Sequence, residues 1–331
     1  MAVGKGIIAA DESAVTCEKR FTAVNVPCTE ETRRAYREVL LAAPEIEQYV
    51  SGVILFDETI RQKAADGMPF PEILARKGII PGIKVDGGVK ELALHPGEKI
   101  TEGLDGLRER LAEYVKLGAR FAKWRAVITI GDGIPSVACI HTNAHALARY
   151  AALCQEAGIV PIIEPEVLID GDHTIEQSYH ATAAILKKTF EEVNDQDVLL
   201  EGMILKASMV IAGKSAAHQS TPEEVAEQTT KCLLENVPSN LAGVVFLSGG
   251  QSDEQATANL NAMNKIPNLP WKLTFSYSRA IQNPVLKIWA QNTSSDENTA
   301  KAREALLFRT KMNSLAAEGK YMEEMESERT Y

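Results

Sequence analysis

Eight short apolar runs, rich in β-branched residues and separated by longer segments of helical periodicity, predict an α/β chain folded as a single (β/α)8, or TIM, barrel. Two further observations favour a closed barrel over an open doubly wound sheet. No G-x-G-x-x-G follows the first run, as a dinucleotide-binding sheet would require. No linker or compositional break marks a second domain, so the barrel is expected over residues 1–319 with a polar tail over 320–331.

The runs come in order along the chain. The first spans 6–11, the second 51–57, the third 79–86 and the fourth 119–127. The fifth spans 159–166, the sixth 199–209, the seventh 243–250 and the eighth 273–279. Between the third and fourth, Leu104, Leu107, Leu111, Tyr114 and Val115 recur at helical spacing ahead of Gly118, a C-terminal stop. Thr221-Pro222-Glu223-Glu224 reads as a capping box with proline at the first helical position, and Ser252-Asp253-Glu254-Gln255 as a second box.

Composition narrows the function classes. At 331 residues, 45% hydrophobic and 24% charged, the chain is an ordinary globular one, with no apolar stretch long enough to span a bilayer and no secretory leader. A cytoplasmic protein without membrane partners is expected. The net charge of −10 argues against nucleic acid, whose phosphates require a basic face. Five cysteines, odd in number and scattered without a C-x-x-C pair, indicate neither a disulfide framework nor a zinc knuckle. In an acidic chain, any gathering of cations points to a bound anion.

The sixth run carries the first such cation. Lys206 lies near the end of an apolar strand expected to be buried on both faces, so its amine either snorkels out or opens into a cavity. In the second case desolvation and a nearby cation would lower its pKa, leaving a nucleophile able to form a Schiff base with a carbonyl. The other strand ends favour the second case, because in this fold they form the active-site face. The first run ends in Asp11, the third in Lys84 and Asp86, the fourth in Lys123 and Arg125, and the fifth in Glu164 and Glu166. Residues two apart share a side of a strand, so each pair projects together into the mouth. Lys123 would depress the pKa of Lys206, Glu164 would carry protons for imine formation, and Asp11 would take a proton from a substrate hydroxyl. Ser248-Gly249-Gly250 after the seventh run and Arg279 after the eighth match the phosphate site that barrels build from their last two loops. Together these residues describe carbon–carbon cleavage beside the ketone of a phosphorylated sugar. No cofactor and no metal is called for.

The chain resembles the class I, Schiff-base fructose-1,6-bisphosphate aldolases along nearly its whole length. The resemblance rests on Gly-Lys-Gly-Ile-Ile-Ala-Ala-Asp-Glu-Ser (4–13), Gly-Ile-Lys-Val-Asp (82–86), Phe-Ala-Lys-Trp-Arg (121–125), Glu-Pro-Glu (164–166), Leu-Ser-Gly-Gly-Gln-Ser (247–252) and Phe-Ser-Tyr-Ser-Arg-Ala (275–280). It implies reversible, metal-independent cleavage of fructose 1,6-bisphosphate to dihydroxyacetone phosphate and glyceraldehyde 3-phosphate, in glycolysis and gluconeogenesis. Lys206 would form the Schiff base, Glu164 would relay its protons and Asp11 would act on the C4 hydroxyl. Lys123 would set the site's charge, with Glu166 supporting it. The C1 phosphate would meet Ser248, Gly249, Gly250, Ser276 and Arg279. The other phosphate would meet Lys84, Ser13, Lys19 and Arg20, with Arg125 nearby. The family's flexible C-terminal tail ends in a tyrosine that reaches the active site, which implies that role for Tyr331, and the family is commonly homotetrameric.

Several positions depart from the family pattern. Ala207-Ser208 replaces the usual Pro-Asn, which is expected to loosen the strand end. Ser278 replaces a glycine, so a left-handed backbone there would disturb the phosphate site. Ala14-Val15-Thr16 replaces Thr-Gly-Ser, and since most members carry a helix before the Gly-Lys-Gly strand while this sequence starts almost on it, the expectation is either a first strand without its usual cover or a start placed late. Sugar stereochemistry is not encoded in these motifs, which leaves sedoheptulose- or tagatose-bisphosphate as alternative substrates, and a noncatalytic aldolase-like scaffold as a different class. His141 and His145 have the i,i+4 spacing of a zinc pair, but without an H-E-x-x-H glutamate they read as surface or packing residues of an outer helix.

Overall fold

A computed structural model describes residues 2–329 and 331. The parallel barrel strands, in chain order, are β1 (Gly6–Ala10), β2 (Val50–Leu55) and β3 (Ile80–Lys84), then, after an antiparallel hairpin β4 (Gly88–Glu91) and β5 (Lys99–Glu102), β6 (Phe121–Ile128), β7 (Val160–Val167), β8 (Ile204–Ala207), β9 (Val244–Phe246) and β10 (Leu273–Tyr277). They close in the order β1-β10-β9-β8-β7-β6-β3-β2. The early helices are α1 (Ala14–Thr22), α2 (Glu30–Leu41), α3 (Asp57–Arg61), α4 (Phe70–Arg76) and α5 (Leu107–Lys116). The later ones are α6 (Val137–Glu156), α7 (Ile175–Asp195), α8 (Pro222–Asn236), α9 (Asp253–Asn264), α10 (Arg279–Trp289) and α11 (Asp296–Ala316). The fold is therefore the (β/α)8 barrel that the eight runs predict. No helix among the described residues is long and apolar enough to cross a membrane.

Alternation along the strands divides the core. Ile7, Ala9, Ile54, Phe121, Ile162 and Val245 form a small cluster of their own, while the larger core lies between the strands and the helical ring. Space for Phe121 comes from a residue with no side chain. A Cβ on Gly82 would lie 2.2 Å from the Phe121 ring, so glycine is required there by close approach rather than by backbone angle.

Local signals account for most helix ends. Gly118 follows α5 at φ +105°, the left-handed stop that its position predicts. Thr221 and Glu224 form the predicted capping box. At Ser252 only half of a box exists, because the side chain accepts from the Gln255 amide without a return bond. The sixth run is also shorter than read: Leu200–Gly202 makes a 3-10 turn, and the Gln155 side chain takes both the N–H and the C=O of Leu199 before β8 begins.

The expected loosening at Ala207-Ser208 does not occur. Ser208 Oγ donates to the Val167 carbonyl and accepts from the Val167 amide, both at 2.9 Å, so the hydroxyl clamps the end of β8 to β7. Hairpin β4–β5, which hydropathy did not signal because its residues are mostly polar or exposed, serves the mouth as well. Thr101 Oγ1 donates to the Arg125 carbonyl at 2.7 Å.

The tail is anchored on α9 and α11. Glu323–Glu328 forms a 3-10 helix, and the fully buried Arg309 of α11 pairs with Glu326 at 2.6 Å. Arg329 reaches Glu254 at 2.8 Å, and the Tyr331 ring packs edge-on against Phe308 at 5.8 Å. Thr330 of the tail and Met1 lie outside the described residues.

Gly82→Ala should destabilise the barrel by about 1–3 kcal/mol through overpacking, and pairing it with Phe121→Leu should recover most of that. Thermal and denaturant unfolding of the three variants would check it; a neutral Gly82→Ala would mean that the ring gives way freely.

Candidate active site

At the C-terminal ends of the strands lies a cavity of about 520 Å3. The candidate catalytic and substrate-binding residues line it, with two exceptions: Gly250, next to the lining Gly249, and Tyr331, which lies with the tail against Phe308; Asp86 is not part of the lining either. At its floor four side chains alternate in charge. Lys206 Nζ is 3.0 Å from Glu164 Oε1, whose other oxygen is 3.1 Å from Lys123 Nζ, which in turn is 2.8 Å from Asp11 Oδ2. Each is at least nine-tenths buried. Strand register produces the line: Ile163 pairs with Leu205 between β7 and β8, so the next residues, Glu164 and Lys206, emerge side by side.

Charge balance keeps Asp11, Glu164 and Lys123 ionised in a dry setting. Burial works to raise the Asp11 carboxyl, but Lys123, Lys206 and Lys84 outweigh it and hold it well below the usual carboxylate range. Glu164 behaves likewise: burial opposes its charge, and Lys123, Lys206 and Arg125 hold the carboxyl down. For Lys123, burial disfavours the ammonium, yet Asp11, Glu164 and Asp86 keep it protonated. Lys84 pairs with Asp86 at 2.6 Å, and Arg125 Nε with Glu166. Glu166 thus pairs with Arg125 rather than Lys123, which differs from the implied support of Lys123: the two residues nearer the starts of β6 and β7, Lys123 and Glu164, pair with each other and leave Arg125 and Glu166 to pair one step further on.

The opposite wall is built for an anion. Gly249 and Gly250 adopt φ +59° and +95°, turning successive N–H groups in a manner suited to a phosphate nest. Ser276 Oγ is buried without a hydrogen-bond partner and opens on the cavity. Arg279 has no carboxylate partner among the described residues. Burial, with Arg20 and Arg125 nearby and only partly offset by Glu166, holds its pKa below the ordinary guanidinium value. A guanidinium without a counterion beside an orphan hydroxyl is what a bound phosphate would complete.

Toward the rim, Ser13, Thr16, Lys19 and Lys84 line the other end of the cavity. Ser13 caps α1, and its Oγ lies 3.2 Å from Thr16 Oγ1, so Thr16 supplies a hydroxyl to this wall. Two residues escaped the sequence reading. Glu12, next to Asp11, is buried against Arg20 and Arg37, both at 2.5 Å. Lys214, in the loop after β8, brings its Nζ to 2.8 Å from where a Cβ on Gly250 would stand. Glu12 could have been suspected from the acidic pair at the end of the first run; nothing in the sequence marked Lys214. Ser278 adopts φ −110°, so no left-handed backbone is needed there and the anticipated disturbance does not arise. His141 and His145 are exposed on α6, and His145 Nδ1 pairs with Glu192 at 3.0 Å on α7.

The floor carboxylates tie stability to acidity. The ordinary values of Asp11 and Glu164 are 3.8 and 4.5, and the folded state holds both lower, so the unfolded chain takes up protons first as pH falls. Their contribution should be complete above about pH 5 and lost progressively below it. Thermal midpoints between neutral pH and acid would check this: Asp11→Asn, which cannot bind that proton, should make the acid decline shallower, and an unchanged decline would locate its cause elsewhere.

Comparison with known proteins agrees with this geometry. The family described as fructose-bisphosphate aldolase class-I matches residues 1–331. A probable fructose-bisphosphate aldolase class 1 of Xanthomonas campestris is 60% identical over 321 residues, covering 97% of this chain and 96% of that protein. The cytosolic fructose-bisphosphate aldolase 4 of Arabidopsis thaliana is 50% identical over 319 residues, covering 96% of this chain and 80% of its own length. Among solved structures, the fructose-bisphosphate aldolase of Plasmodium falciparum, crystallised with TRAP and a small-molecule inhibitor, superposes with a TM-score of 0.94 at 48% identity, covering 97% of this chain and 92% of that one. A closed barrel with a lysine–carboxylate floor, matched along its whole length by the family model and along nearly all of it by such relatives, belongs to the class I fructose-bisphosphate aldolases, a family of carbon–carbon lyases.

Proposed function

We propose that this aldolase cleaves fructose 1,6-bisphosphate through a Schiff base on Lys206, without a metal ion. The observation that carries the reading is the Lys206–Glu164 contact of 3.0 Å at the floor of a cavity whose wall offers an unmatched guanidinium. The Lys206 amine adds to the C2 ketone once its proton has passed to a carboxylate. Glu164, in contact with both lysines, is suited to accept that proton and to return it to the carbinolamine hydroxyl, which leaves as water. Asp11 then takes the proton of the C4 hydroxyl. The C3–C4 electron pair moves into the protonated imine, giving an enamine on Lys206 and free glyceraldehyde 3-phosphate. Protonation at C3 and hydrolysis of the imine release dihydroxyacetone phosphate.

Lys123 stays positive throughout, holding Asp11 and Glu164 ionised and aimed. Ser248, Gly249, Gly250, Ser276 and Arg279 bind the C1 phosphate; Ser13, Lys19, Arg20 and Lys84 bind the other, with Arg125 beside them. Tyr331 assists proton exchange on the enamine after the tail leaves its anchors on Arg309 and Glu254. The names of the family and of its plant relatives support a glycolytic, cytoplasmic enzyme, and the family resemblance alone carries the homotetramer as its working form.

Borohydride reduction with dihydroxyacetone phosphate, followed by peptide mass spectrometry with and without chelator, should find the adduct on Lys206 regardless of chelator. No adduct, or activity lost to the chelator, would overturn the mechanism. Lys206→Met should abolish both adduct and turnover, while Glu164→Gln should lower kcat by about 10²- to 10⁴-fold. Tyr331→Phe should slow hydrogen exchange at C3 of dihydroxyacetone phosphate, followed by NMR, with trapping at Lys206 intact; unchanged exchange would remove the tail from the chemistry.

A further inference from the structure

The Ser278 hydroxyl, which the family's usual glycine lacks, lies between two elements of the mouth. Its Oγ donates to Glu12 Oε1 at 2.6 Å and accepts from Arg20 Nη2 at 3.0 Å, with Gln282 Nε2 at 3.2 Å. Glu12 Oε1 also accepts from Arg20 Nη1 at 2.5 Å, and Glu12 Oε2 from the buried Arg37 at 2.5 Å. Two nitrogens of one guanidinium are therefore held by two anchors. Nη1 is tied to the β1 side through Glu12, and Nη2 to the β10 side through Ser278. A planar group fixed at one nitrogen can still swing; fixed at two, it cannot.

The bridge matters because of where Arg20 stands. Its side chain is only 21% exposed, lines the cavity and is close enough to Arg279 to help lower that residue's pKa. Arg37, on the other oxygen of Glu12, is wholly internal and plays no part in the cavity wall. We propose that Ser278 is a positioning residue, whose hydroxyl fixes Arg20 beside Arg279 and so sets how tightly the enzyme holds a phosphorylated substrate. The inference rests on the reading of Arg20 as a phosphate contact. Serine suits the role because its single hydroxyl hydrogen is spent on Glu12 while its lone pairs accept from Arg20 and Gln282, so the same oxygen serves carboxylate and guanidinium together. Alanine would leave Arg20 on one anchor; threonine keeps the oxygen.

A double-mutant cycle on the full chain tests it, with Ser278→Ala, Arg20→Ala, the pair together, and Ser278→Thr as the restoring variant. Ser278→Ala should raise KM for fructose 1,6-bisphosphate by about three- to tenfold, the effect of one ordinary hydrogen bond, with kcat within about twofold. Ser278→Thr should stay near the parent value. In the Arg20→Ala background the alanine substitution should change KM by less than about twofold, since the group it acts through is gone. The proposal is overturned by an unchanged KM in Ser278→Ala or by its full effect persisting without Arg20, as a purely structural role would give. Calorimetric Kd for inorganic phosphate across the same variants reads the bridge without turnover. A parent protein that binds phosphate but neither cleaves nor traps substrate would sink the Schiff-base reading alone.

Discussion

The site depends on four buried charges arranged so that each has an opposite neighbour. Asp11 follows β1, while Lys123, Glu164 and Lys206 stand in β6, β7 and β8, and an isolated charge at that depth would be neutralised by desolvation. In a line they offset one another. The barrel is what makes the line possible: a closed parallel sheet delivers the strand ends to one small area, and register decides which side chains meet.

Such a cluster is costly to build and easily spoiled. Removing one member leaves a neighbour charged and unpaired in a low-dielectric setting, a far larger perturbation than losing a surface ion pair. The surrounding devices act as reinforcement. Ser208 clamps β8 to β7 just beyond Lys206, Asp86 steadies Lys84 and accepts from the Arg125 amide at 3.4 Å, and hairpin β4–β5 ties to the end of β6 through Thr101. Positions that look like departures from the family pattern thus supply contacts of their own. Ser208 and Ser278 both replace residues lacking a hydroxyl at those points, and in each case the hydroxyl joins neighbouring elements around the mouth.

The cavity is divided electrostatically. Its floor is balanced, with every lysine matched by a carboxylate, whereas the wall formed by Ser248, Gly249, Ser276 and Arg279 carries uncompensated positive potential and an orphan hydroxyl. This division explains how a protein of net charge −10 can attract a polyanionic sugar: the excess of acid is spread over the surface, and the mouth gathers the cations. The tail, held by Arg309 and Glu254, adds an aromatic hydroxyl that is buried without a partner and outside the cavity.

Sequence determined the barrel and most of its floor, because strand periodicity is local and side chains two apart must share a face. Eight apolar runs, their terminal charges and the Ser-Gly-Gly turn could all be read from neighbouring residues alone. What depended on distance in the chain could not. Hairpin β4–β5 was missed because its strands lack an apolar alternation, and the start of the sixth run was misread because an apolar stretch does not distinguish strand from 3-10 turn. Pairings were likewise decided only by the tertiary structure: Glu166 with Arg125 rather than Lys123, Lys214 beside Gly250, the tail on Arg309, and Ser278 across 258 residues to Arg20. A residue's type fixes what it can bond, but only closure of the barrel fixes which partner lies within 3 Å.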